Sequence, residues 1–162
     1  MNIAKRALGV VVVVVVLLSI GAVTAQVSTS SSLKKEQLQR LYTEYLTAEG
    51  YKPEVDSDGD VRFKREGRTY FIDVSEKDPE FFHVVLANIW PIESEKERLQ
   101  VLAAADYSNA KSKVSKVHTV RDDVWVSIEL FVASPDDFKG VFNRVMSAFD
   151  NGVANFVKKM RE

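Results

Sequence analysis

The chain contains no cysteine. That removes disulfides, thiol catalysis, a cysteine-linked lipid anchor and every cysteine-ligated metal site. Only two histidines, His83 and His118, are available to move protons near neutral pH. Glycines are few and scattered. Gly59, Gly67, Gly140 and Gly152 each stand alone, so no phosphate-cradling loop forms. No G-x-S-x-G turn presents a serine nucleophile. There is no basic excess either: a net charge of −1 over 162 residues argues against a general nucleic-acid binder. No internal repeat or linker divides the chain. What is left is an ordinary globular composition, 46% hydrophobic and 28% charged, long enough for one domain with a short appendage.

The longest unbroken apolar run lies at the N-terminus. Lys5 and Arg6 precede Val10 to Leu18, Gly21 follows, and Val23-Thr24-Ala25 supplies the compact residues that a signal peptidase accommodates. Residues 1–25 therefore read as a signal peptide cut between Ala25 and Gln26. The competing reading is an uncleaved anchor. Ala7 to Ala25 would make about 28 Å of helix against a hydrocarbon core of roughly 30 Å. Length leaves both open, while Ser19, Gly21 and the cleavage motif favour a cut signal. Either way the domain is exported: periplasmic or secreted if cut, held at the membrane by its N-terminal helix if not. Cleavage removes two basic residues and no acidic one, leaving 20 against 23 and a net charge of −3. Residues 26–33 read as a serine-rich flexible tether and 34–162 as the folded domain.

Within that domain the strongest pattern runs from Asp123 to Met160. Val124, Val126, Ile128, Leu130 and Val132 alternate with Trp125, Ser127, Glu129 and Phe131, the period of a strand with one buried face. Ser134-Pro135-Asp136-Asp137 stops the strand and opens a helix. Phe138, Val141, Phe142, Val145, Phe149, Val153, Phe156 and Met160 then fall on one helical stripe. Upstream, Lys34 to Glu49 predicts a first helix with Leu38, Leu41, Tyr42, Tyr45 and Leu46 on its apolar side. Short strands follow at Lys52–Val55, Val61–Arg65 and Tyr70–Val74, punctuated by Asp58-Gly59 and Glu66-Gly67. Phe81 to Trp90 is apolar on both sides and reads as a central strand covered on both faces. Ser94 and Glu97 form a capping box for a second helix reaching about Asn109. Val114 to Val120 predicts the next strand. The expected class is α+β: an antiparallel sheet of about five strands with three helices, ordered α-β-β-β-α-β-β-α.

That order, with Glu49-Gly50-Tyr51, Asp58-Gly59-Asp60 before Val61 and Phe63, Gly67 before Tyr70, and Asn109 closing the second helix, resembles the bacterial YbjN family. Members of that family are labelled sensory transduction regulators and are similar in fold to class I type III secretion chaperones. The similarity spans roughly Leu38 to Phe156. It implies an α+β domain with protein partners and self-association, without an established chemistry. Many members look cytoplasmic; this chain departs from them in its export signal.

Individual residues add little chemistry. Asp56, Asp58 and Asp60 suggest calcium, but Val61 and Gly67 stand where an EF-hand loop needs glycine and glutamate. His83 and His118 would share a site with Asp73 or Glu129 only if the fold paired them. Trp90, Trp125 and Phe131 form the candidate partner surface: an exposed aromatic patch if one sheet face is open, plain core if both are covered. Lys111, Lys113 and Lys116 read as a charged edge that discourages strand pairing. No catalytic, cofactor-binding or metal-ligating residue is assigned. The expected function is an exported, non-enzymatic, protein-binding or chaperone-like module with a regulatory role, a protein partner and a homodimeric form. It would bind no nucleic acid, and would touch a membrane only through an uncleaved N-terminus. The alternative is a small-ligand carrier whose pocket, between the sheet and the last helix, is lined by Phe138, Phe142, Phe149 and Phe156.

Overall fold

In the computed structural model, which describes residues 34–162, the chain runs in this order. First come α1 (Lys35–Ala48), β1 (Glu54–Val55), β2 (Val61–Arg65), β3 (Arg68–Ile72) and β4 (Phe81–Pro91). Then follow α2 (Glu95–Lys111), β5 (Ser115–Val120), β6 (Asp123–Phe131), one 3-10 turn (Pro135–Asp137) and α3 (Phe138–Met160). The signal segment 1–25, its cut between Ala25 and Gln26, and the tether 26–33 lie outside the described residues. The six strands make one antiparallel sheet ordered β1-β2-β3-β4-β6-β5. The α+β class therefore holds, with one strand beyond the expected five. Its shortest member, β1, pairs only Glu54 with Arg62 and Val55 with Val61.

The helix starts follow from their caps. Ser94 Oγ accepts the Glu97 amide at 3.2 Å, as a capping residue should. The Glu97 carboxylate reaches one residue further back than the capping box requires, to the Glu93 amide at 2.7 Å. At Ser134 the backbone N–H and the hydroxyl both donate to Asp137 Oδ2, at 2.9 and 3.0 Å. The second helix runs to Lys111, two residues past the expected end at Asn109.

One row of buried side chains crosses the sheet through five strands: Phe63 opposite Tyr70, Tyr70 opposite Leu86, Leu86 opposite Val126, and Val126 opposite Val117. The helices lie on this face. The α3 stripe supplies Phe138, Phe142, Val145, Met146, Phe149, Val153, Phe156 and Met160 to the core. Rings from the two layers meet directly: Phe142 on Phe63 at 5.8 Å, Phe149 on Tyr70 at 5.3 Å and Phe138 on Phe82 at 5.2 Å. The ligand pocket expected between sheet and last helix is thus a filled core. Phe138, Phe142, Phe149 and Phe156 are fully buried, packed on other rings rather than around a void.

The expectation that β4 is covered on both faces also needs correction. Phe82, Val84 and Leu86 are buried, but Phe81, His83 and Val85 are only half-buried, and no described element packs over them. Their apolar character, which suggested a second cover, belongs to an open surface.

Where α2, α3 and β5 meet, small residues bring backbones close. Ala104 and Ala105 of α2 are buried, and Ser108 Oγ donates to the Gly152 carbonyl at 2.8 Å. A Cβ at Gly152 would stand 2.6 Å from Ser115 Oγ and 3.0 Å from Ser115 Cβ. Gly152→Ala is therefore expected to be destabilising, by about 1–3 kcal/mol of overpacking, against a helix-propensity gain of about 1 kcal/mol. Urea unfolding of Gly152→Ala alone and combined with Ser115→Gly checks this: the second change should return the alanine variant to at least the stability of Ser115→Gly alone.

Candidate functional site

The open face is built by the alternate residues of the strands whose other residues fill the core. It carries Phe71 on β3, Phe81, His83 and Val85 on β4, Lys116 and His118 on β5, and Trp125, Ser127, Glu129 and Phe131 on β6. Two of the three residues expected to form a partner surface are here. Phe131 is 81% exposed, its ring tilted at 46° against Phe81 of the neighbouring strand with centroids 5.3 Å apart. Trp125 is half-buried and donates its indole N–H to Asn88 Oδ1 at 2.9 Å. Asn88, with φ of 55°, sits in the irregular stretch between Leu86 and Trp90 where the β4–β6 register shifts. Trp90 is not with them. It pairs opposite buried Val124, its ring meets Phe156 at 6.0 Å, and its N–H donates to Glu97 Oε1 at 2.9 Å. Together with the Glu93 amide, that bond holds the Glu97 carboxyl below its ordinary range.

Between Phe131 and Trp125 a row of charge crosses four neighbouring chain segments. His83 Nδ1 lies 3.4 Å from Asp73 Oδ2, and His83 Nε2 lies 4.0 Å from Glu129 Oε1. Lys116 closes the row on Glu129 from β5. The hydrogen bond from Lys116, aided by the nearby charges of Lys116 and His83, keeps the Glu129 carboxyl below its usual range despite partial burial. So the fold does bring His83 to both candidate acids. It places His118 elsewhere, opposite Trp125. Each nitrogen of His83 faces a different carboxylate, which is the geometry of a cross-strand ion row and not of converging ligands. Among the described residues no cluster of three or more His, Asp or Glu side chains is placed to hold a metal ion. The Asp56–Asp60 turn is an internal one: Asp56 Oδ1 accepts the amides of Asp58 and Asp60, each at 3.0 Å. Lys35 and Gln39 of α1 bind the Asp58 and Gly59 carbonyls from outside.

Two edges bound the sheet. At the β2 edge a cleft of about 490 Å³ opens beside Phe63 and Lys64, walled by Tyr51, Lys52, Glu54, Arg62 and Thr69. At the β5 edge Lys116 turns onto the open face toward Glu129, while Lys111 and Lys113 stay exposed ahead of the strand. The residue that occupies this edge is Asn109, which sequence reasoning treated only as a helix end. Its Nδ2 donates to the Val117 carbonyl at 3.0 Å and its Oδ1 accepts the Val117 amide at 2.8 Å. Nothing in the local pattern reveals this, because the pairing joins the last turns of a helix to the next strand across a loop.

No curated protein matches the chain. A family model described as "T3SS (YopN, CesT) and YbjN peptide-binding chaperone 1" matches residues 36–160. That interval spans α1 to α3 and includes both edges and the whole open face. The match takes in most of the chain, and the chain belongs to the family of T3SS and YbjN peptide-binding chaperones.

Proposed function

We propose that this domain is an exported, non-enzymatic chaperone module that holds a segment of a partner protein against the open sheet face around Trp125 and Phe131. The observation that carries this is the set of apolar side chains, Phe71, Phe81, Val85, Trp125 and Phe131, on the face that no described helix covers. Aromatic anchors set in a polar surround are how such surfaces gain binding energy. A non-enzymatic role fits the chemistry of this face. His83 is held between Asp73 and Glu129, and among the described residues neither histidine borders the cleft at the β2 edge. The N-terminal pattern supports export, and a regulatory role would then act through the bound protein. Leu99 and Leu102, 70% and 49% exposed on α2, supply apolar contact for a homodimer in the same reading.

Photo-reactive residues test it. Placed at 125 or 131 in the producing cell, they should cross-link a partner of defined mass, and placed at 99 they should cross-link a second copy. Phe131→Ser should leave unfolding stability within about 0.5 kcal/mol of the parent, as for other surface changes, while sharply reducing capture from position 125. Undiminished capture in that variant, or no capture from 125 and 131, overturns the assignment of the face.

A further inference from the structure

We infer that the open face takes its partner in register: an extended segment whose alternate residues run apolar, basic, apolar, apolar, with the basic side chain on Asp73 and with His83 deciding when that place is free. The inference deepens the peptide-binding reading above and rests on it.

The register follows from strand pairing. Along β6 the outward residues Phe131, Glu129, Ser127 and Trp125 stand two apart, so each step is about 7 Å and the whole run about 20 Å. Neighbouring strands widen each step into a level across the sheet. Phe81 pairs with Phe131 and makes an aromatic level. His83 pairs with Glu129 and stands beside Asp73, which makes a charged level. Val85 pairs with both Ser127 and Phe71 and makes an apolar one. Trp125, held by Asn88, closes the run. An extended chain laid along β6 turns every second side chain to the face at the same spacing. Four alternate residues of such a chain therefore meet aromatic, charged, apolar and aromatic ground in turn.

The sign of the second residue follows from the charged level. Glu129 has a cation already, since Lys116 binds it from β5. Asp73 has no lysine or arginine partner among the described residues, and 46% of its side chain is exposed. The one hydrogen-bond partner of its carboxylate among those residues is His83 Nδ1, at 3.4 Å, beyond the length of a strong bond. With His83 neutral the level holds two carboxylates against one ammonium. A lysine or arginine of the bound segment supplies the missing cation, whereas a glutamate there would meet like charge with nothing to offset it.

His83 can supply that cation itself. Histidine is the side chain that gains a charge as pH falls from about 8 to 5. The groups facing His83 are Asp73 from the segment after β3, Glu129 from β6 and, behind Glu129, Lys116 from β5. Phe81 of its own strand lies 5.7 Å away, ring to ring. Glu129, held below its usual range by the hydrogen bond from Lys116, is still ionised in mild acid. A proton on His83 therefore lands between two acids and balances the level. The basic residue of the segment then loses its advantage, because two cations competing for one place oppose each other's binding. His118, opposite Trp125, is outside this level.

The test uses the full chain and three acetylated, amidated heptapeptides: Phe-Ser-Lys-Ser-Val-Ser-Leu and its twins with glutamine or glutamate in the third place. Dissociation constants are read from amide NMR shifts. At about pH 7.5 the lysine peptide should bind about tenfold or more tighter than the glutamate twin. Asp73→Asn should remove most of that preference. Going to about pH 5.5 should weaken the lysine peptide about fivefold, a modest coupling, and leave the glutamine twin within about twofold. His83→Gln should abolish the pH effect, and His118→Gln should keep it. Equal binding of the lysine and glutamate peptides, a preference that survives Asp73→Asn, or a pH effect that survives His83→Gln overturns the proposal. Failure of all three peptides to bind while cross-links from positions 125 and 131 persist also overturns it, and leaves the open-face reading standing. Loss of both removes that reading as well.

Discussion

Phe142→Ala is expected to lower the stability of the domain by about 3–5 kcal/mol, the range for truncating a fully enclosed phenylalanine. The ring is inaccessible to solvent and lies at the junction of three layers of contact. Tyr45 of α1 meets it at 5.3 Å, Tyr51 of the following loop at 6.1 Å and Phe63 of β2 at 5.8 Å, and Phe138 precedes it by one turn at 6.5 Å. The lost transfer energy and the cost of the cavity add. Since whole domains have only about 5–15 kcal/mol to lose, the variant should unfold at much lower denaturant. Urea titration with an unchanged m-value would show it. A loss below about 1 kcal/mol would mean that the helix does not press on the sheet as described. The contrast with Phe131, a residue of the same type left exposed, makes the comparison internal to the protein.

The second large effect is on alkaline stability. The Tyr42 hydroxyl belongs to a buried side chain with rings of Phe138 and Phe82 at 4.9 and 5.9 Å. Burial, and then the negative charge of Asp73, push its pKa from 10.0 up to about 12. The folded chain therefore keeps this proton at pH values where the unfolded chain releases it. Stability from this group is intact below about pH 10 and declines between 10 and 12, by roughly 1.4 kcal/mol per pH unit and about 2–3 kcal/mol in all. Tyr42→Phe should flatten that decline. Denaturation of both proteins at about pH 9 and about pH 11.5 measures it, and parallel losses in the two would assign the alkaline sensitivity to other groups. Tyr45, also raised by burial, contributes in the same direction.

Much of this architecture can be read from residue order, where the pattern repeats. Eight apolar positions at steps of three and four leave α3 little choice, and the alternation from Val124 to Val132 leaves β6 little more. Parity also held the answer for Trp90: it shares the even positions of Phe82, Val84 and Leu86, the buried side, while Trp125 and Phe131 are odd partners of buried Val124 and Val126. The two extra residues of the bulge around Asn88 preserve that parity. What periodicity could not supply was the number of covered faces, because half-exposed Phe81 and Val85 look like core in a linear pattern. Nor could it supply Asn109, whose role depends on a helix end and a strand edge meeting in space. The site is less legible than the fold for that reason: which of its aromatic side chains stay on the surface depends on what covers the sheet, and no motif announces that.

The position of α3 after all six strands has a consequence for synthesis. Its stripe closes the core over strands made earlier, so a growing chain cannot complete its packing until Phe156 has left the ribosome. Every nascent chain that stops short of α3 leaves the apolar side of the sheet, from Phe63 to Val117, without the rings that cover it.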